Sequence, residues 1–260
     1  MIGRSLRASL AVTWGGGRPL ILATGIALLG IFEGARNPWD ILLASTHYKQ
    51  VDLLVVPLYL LLLTRDLRHP WEALVRLRLR DARRWWAGHV GAAGLTAGLV
   101  VVGIAVLAVI VPLIRHQWTW RWGTMARATL GPAILASPTW RVPWLAGLEE
   151  LGLLALGLWA IGVLSQVLTL WWRSPWYAWI VLVLLGWGSV AAFGTGLQTL
   201  VWWVPAGSQF CLEYHWTPAG PVVAPGWSVL YGSLLLAAAT AAGGAIARSS
   251  PDDARHGGTL

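Results

Sequence analysis

Residues Gly88 to Ile114 read GHVGAAGLTAGLVVVGIAVLAVIVPLI, 27 residues in a row without an Asp, Glu, Lys or Arg. At about 1.5 Å of rise per residue this run makes a helix of roughly 40 Å, longer than the ~30 Å hydrocarbon core of a bilayer. The rest of the chain agrees with that reading. It is 57% hydrophobic and 12% charged, with a mean hydropathy of +0.62, whereas soluble domains carry about 25% charged residues. A core of 260 residues cannot hide so much apolar surface, so the solvent for much of the chain is lipid. Trp 20 against Phe 3 fits, because indoles gather at the membrane interface.

Around this run the sequence predicts an all-α, polytopic membrane protein with six spans. Residues 1–17 form an interfacial amphipathic helix, with Leu6, Leu10, Thr13 and Trp14 on one face. No A-x-A-like site follows Phe32, so this end reads as retained rather than cleaved. The first span covers about Leu20 to Phe32, and a polar loop from Glu33 to Asp52 follows. The second span, Leu53 to Leu63, is short for a bilayer and begins within that loop. The third is Gly88–Ile114, the fourth about Leu145–Trp172, and the fifth runs from Trp176 to about Leu197 after a tight Arg173-Ser174-Pro175 turn. Residues 198–226 include LVWWVPAG (Leu200–Gly207), apolar but too short to cross, and read as a re-entrant or interfacial piece. The sixth span is about Trp227–Ala247, ahead of a polar tail, residues 248–260.

Charge sets the orientation. Arg4, Arg7 and Arg18, seven arginines between Arg65 and Arg84, Arg173, Arg248 and Arg255 share one side, thirteen of the nineteen Lys+Arg. Arg36, Lys49, Arg115, Arg121, Arg127 and Arg141 are the other six. Positive-inside bias then places both termini in the cytoplasm and the protein in the cell membrane. A net charge of +8 is better explained by this bias than by nucleic acid, which a chain this apolar is not built to bind.

The basic stretch VRLRLRDARRWW (Val75–Trp86) is the densest charge in the chain. Wound as a helix, Trp71, Val75, Leu79, Ala82 and Trp86 share a face, and Arg76, Arg80, Arg83 and Arg84 lie opposite. Residues 65–87 are therefore expected to be an amphipathic cytoplasmic helix against the membrane. Its arginines would face anionic lipid headgroups or a cytoplasmic partner.

Taken together, the six spans, the N-terminal interfacial helix, the basic helix ending in Arg83-Arg84-Trp85-Trp86 and the partly crossing segment near Leu200–Gly207 resemble the permease subunit of a type-2 ATP-binding cassette (ABC) transporter. The resemblance covers nearly the whole chain but rests on architecture and one basic-aromatic patch. It implies that the 65–87 segment is the coupling helix. Arg76, Arg78, Arg80, Arg83, Arg84, Trp85 and Trp86 would then dock a separate ATPase subunit. It also implies a second permease copy or a paralogue, and export of lipids, peptides, drugs or polysaccharides.

The chain has no P-loop of its own, because the only lysine, Lys49, sits between Tyr48 and Gln50. ATP and Mg would belong to the partner, with no cofactor, metal or catalytic residue in this chain. Glu149-Glu150 resembles the glutamate pair of CAAX-protease-like membrane enzymes, but Leu154 stands where that EExxxR pattern has arginine. The two acids are otherwise read as favouring the start of their helix and pairing with Arg141, or as lining an outer vestibule. A non-transporting membrane assembly or sensor protein is the remaining class. Pro57 and Pro112 are expected to kink the second and third spans, and the fifth-span glycines to allow close packing or a flexible gate.

Overall fold

A computed structural model describes Gly25 and residues 35–66, 82–124, 127, 142–194 and 225–249. Residues 1–17, the first predicted span apart from Gly25, the basic stretch 67–81, residues 198–224 and the tail beyond Ser249 lie outside the described residues, as do Arg76, Arg78, Arg80, Arg141 and Cys211. The described residues are all-helical: α1 (Pro38–Thr46), α2 (Tyr48–Gln50), a π-helical turn (Val51–Val55), α3 (Val56–Asp66), α4 (Ala82–Ile114), α5 (Pro143–Trp172), α6 (Pro175–Gly194) and α7 (Pro225–Ser249).

Four of these, α4 to α7, are long and apolar enough to cross a membrane. Their surfaces show how lipid is handled. Along α4, Leu95, Leu99, Val102, Val106, Val109 and Leu113 are exposed, three and four residues apart, and so form one continuous stripe. Facing inward are Ala92, Ala93, Thr96, Ala97, Val100, Gly103, Ile104 and Ala108. Large apolar groups outside and small ones inside are the pattern of a helix that touches lipid. Chains in lipid associate through close packing and hydrogen bonds rather than through a hydrophobic drive. Exposed Trp120, Trp144 and Trp227 flank one end of the bundle, and Trp171, Trp172, Trp176 and Tyr177 the other, as aromatic belts do.

At the centre is α5. The most apolar window of α5 is 61% buried, against 17% for α7, and α5 packs on α1, α3, α4, α6 and α7. The turn into α6 is as tight as Arg173-Ser174-Pro175 suggests: Arg173 adopts the left-handed conformation (φ 52°) that ends a helix, and Pro175 starts the next.

One expectation is revised. The segment Glu33–Asp52 is not a polar loop throughout. Asn37 caps α1, its Oδ1 accepting the Asp40 N–H at 2.8 Å, with Pro38 in the first turn. All of α1 except Trp39 is buried. After His47 the chain is helical from Tyr48 to Asp66, so the second apolar run does begin inside the supposed loop, and it carries Asp52 with it. Most of the basic segment expected as a helix over 65–87 lies outside the described residues. Its last residues, from Ala82, are helical and run without a break into the third span. Arg83 and Arg84 therefore stand on the same helix as that span.

Pro57 acts just where its missing N–H matters. Upstream of it the helix widens by one residue, Val56 N–H bonding Val51 O, the i to i+5 spacing of a π-turn. Tryptophan has a second role beyond the belts. The indole N–H of Trp159 on α5 donates to Val90 O on α4 at 2.9 Å, and that of Trp179 on α6 to Pro57 O on α3 at 3.0 Å. The Tyr59 hydroxyl on α3 donates to Ala93 O on α4 at 3.0 Å. Each uses the spare lone pair of a helical carbonyl to tie two helices together.

Candidate functional site

The bundle presents distinct chemistry at its two ends. The helices α4 and α5 run antiparallel: Trp159 meets Val90 and Gly94 near one end. At the other, Trp39 and Leu42 of α1 lie against Gly147 near the start of α5, and Trp39 Nε1 donates to Thr119 O, just beyond α4, at 2.9 Å. The start of α4 and the end of α5 therefore share one end of the molecule, the basic one.

At that end Arg83 and Arg84 are exposed, while Trp85 and Trp86 immediately after them are buried. Arg83 and Arg84 fall on the exposed side, whereas Trp86, projected onto a membrane-facing side, packs against α7. The Trp86 indole lies against Gly243 of α7, where a Cβ would collide with the ring. Its Nε1–H donates to Thr240 O at 2.7 Å. Trp85 packs against His89, the rings tilted by 59° with centroids 4.5 Å apart, and both are buried. The turn that carries Arg83 and Arg84 is thus tied to α7 through Trp86.

At the opposite end the structure buries carboxylates. Glu150, two turns into α5, is 1% exposed and accepts a hydrogen bond from the Thr46 hydroxyl at the end of α1. Asp52, in the π-turn, is 0% exposed; its Oδ2 accepts from Ser189 Oγ of α6 at 3.3 Å, and Gly186 of α6 lies over the same residue. Asp40 is buried beside Asn37, with Gly123 so close above both that no side chain fits there. Charged groups inside a membrane body are costly and mark functional positions by default. Here each of Glu150 and Asp52 is held by a hydroxyl from another helix, an arrangement that can hold a proton or a small cation.

Of the two acids singled out from the sequence, Glu150 is the buried one and Glu149 is half-buried. Glu150 is bonded by Thr46 of α1, and the expected pairing with Arg141 lies outside the described residues. Asp40, Thr46 and Asp52 were missed by sequence reasoning, which left them in the loop. The signal was present: a second span of only Leu53–Leu63 must borrow residues upstream to cross ~30 Å, and the residues it borrows include Asp52. Ser165 and Gln166, polar residues in the fourth span, are buried, and the Gln166 amide makes no hydrogen bond among the described residues. No group of three or more His, Cys, Asp or Glu among the described residues is placed to hold a metal ion. Comparison with protein-family models, curated proteins and solved structures returned no match.

Proposed function

We propose that this chain is the membrane-spanning permease subunit of an ABC-type exporter. In this reading a separate ATPase subunit docks on the basic end and hydrolyses Mg-ATP. The resulting motion moves a hydrophobic or amphipathic substrate along a path shared with a second permease copy or a paralogue. The observation that carries the reading is the locked arginine turn: Arg83 and Arg84 stand exposed on a spanning helix whose next residues are wedged into α7. Such a lever transmits a cytoplasmic push into the bundle. The finer topology, six spans in the cell membrane with both termini cytoplasmic, belongs to the same proposal.

Purification of the full-length protein from mild detergent should recover a stoichiometric ATPase. Changing Arg76, Arg80, Arg83 and Arg84 together to Glu should lower the ATPase activity of that complex at least tenfold, as expected when close charge pairs across an interface become repulsive. Recovery of this chain alone would overturn the proposal. Topology has its own test, since Cys211 is the only cysteine. A membrane-impermeant maleimide should label it on intact cells, and labelling only after lysis would refute the six-span, N-in arrangement.

A second reading is favoured by the buried carboxylates: transport driven by a proton or cation gradient through the Asp52–Ser189 and Thr46–Glu150 pairs, without an ATPase. It predicts that Asp52→Asn abolishes gradient-driven uptake into proteoliposomes. Under the ABC reading the same variant leaves ATPase coupling in place.

A further inference from the structure

Beside the locked tryptophan, an open cleft of about 470 Å³ separates the start of α4 from the end of α7, within the ~300–1,000 Å³ range of ligand sites. Arg83 of α4 and Arg248 of α7 line it, together with Trp86, Ala87, Val90 and Ala241, and no acid stands among the described residues that line it. Arg248 donates its Nε–H to Gly244 O at 3.0 Å, which ties the guanidinium back onto the part of α7 that lines the cleft. One part of the cleft is therefore cationic and the other apolar.

Its depth in the membrane follows from helix length. The 33 residues of α4 and 25 of α7 make helices of roughly 50 and 37 Å, longer than a ~30 Å hydrocarbon core. Arg83 and Arg248 stand just outside the uncharged apolar stretches of α4 and α7, so both lie towards headgroup level while Val90 and Ala241 lie about two turns deeper. Ala87 and Ala241 are exposed, and α7 is the least buried of the four long helices. The cleft thus opens on the lipid-facing flank of the described bundle.

We propose that this cleft binds one anionic phospholipid. Its phosphate sits with Arg83 and Arg248, and an acyl chain runs down the wall formed by Ala87, Val90 and Ala241. The charge gradient along the cleft matches the polarity gradient of that ligand, and basic pockets between spanning helices are recognised seats for acidic headgroups. A soluble anion would use the arginines but leave the apolar wall unfilled. A zwitterionic lipid would fill the wall but carry its own cation towards the arginines.

Native mass spectrometry of the full-length protein in neutral detergent, titrated with phosphatidylglycerol or phosphatidylcholine, tests this. One phosphatidylglycerol should bind in preference to phosphatidylcholine. The double variant Arg83→Gln/Arg248→Gln should weaken it on the order of tenfold to thirtyfold, with phosphatidylcholine unaffected. Arg115→Gln/Arg121→Gln removes as much charge at the other end and should change nothing. Ala241→Trp keeps both arginines but fills the wall, and should also weaken binding. It provides the readout if the arginine pair proves necessary for folding. Equal binding of the two lipids, an equal loss in the Arg115/Arg121 control, or displacement of the lipid by inorganic phosphate would each overturn the proposal.

Discussion

Trp86→Ala is expected to destabilise the folded bundle by about 3 kcal/mol. Truncating a buried tryptophan costs ~3–5 kcal/mol in a soluble core. The lower end applies here because lipid supplies no hydrophobic transfer term between helices, leaving packing and hydrogen bonding to be lost. Both are concentrated at this residue. The ring is 4% exposed and occupies the space over Gly243, and its N–H is bonded to Thr240 O at 2.7 Å. Trp86→Phe keeps most of the ring and loses the donor, so it should cost about 1 kcal/mol. Gly243→Leu attacks the same contact from α7 and must push α4 away, costing at least the ~1–3 kcal/mol of an overpacked core. Because the two residues touch, the double variant Trp86→Ala/Gly243→Leu should be well short of additive. Unfolding in mild detergent, followed by thermal melting or denaturant titration, reads all four. A Trp86→Ala protein within ~0.5 kcal/mol of the parent would show that the arginine turn is not locked to α7.

Thr46→Val should cost about 1–3 kcal/mol, or more if Glu150 is ionised, because it keeps the shape of residue 46 and removes the hydroxyl that Glu150 uses. The double variant Thr46→Val/Glu150→Met should recover most of that loss, since an apolar pair of similar volume buries no unsatisfied group. The cycle separates two roles. If the double variant is stable and transports normally, the pair is a structural tie between α1 and α5. If it is stable but inactive, Glu150 lies on the transport path. A Thr46→Val protein as stable as the parent would refute the bond itself.

Much of the architecture was legible in the sequence because apolar run length is a local quantity. The spans at Gly88–Ile114, Leu145–Trp172 and Trp227–Ala247 match α4, α5 and α7 to within a few residues, and Arg173-Ser174-Pro175 announced the turn before α6. The helical projection also separated exposed Arg83 and Arg84 from buried Trp86. The polar stretch between Glu33 and Asp52 was not legible. Asp40, Ser45, Thr46 and Asp52 lower its hydropathy, yet all four are buried because partners remote in sequence satisfy them. Ser45 turns its hydroxyl back onto Ile41 O, while Glu150 and Ser189 are more than 100 positions away from Thr46 and Asp52. The tryptophans were half legible. An indole count points to the interface, and it does not reveal that Trp39, Trp86, Trp159 and Trp179 spend their N–H groups on carbonyls of other segments.

The sequence by itself determined that this chain dissolves in lipid, where its longest helices run and which end carries the charge. Transfer free energy and charge sum residue by residue along the chain, so no partner need be known. Only the tertiary structure decided which polar groups go inside and what the arginine turn is fastened to. Burying a carboxylate or seating an indole in a glycine notch depends on a donor, acceptor or gap supplied by another helix, and no local pattern encodes that pairing.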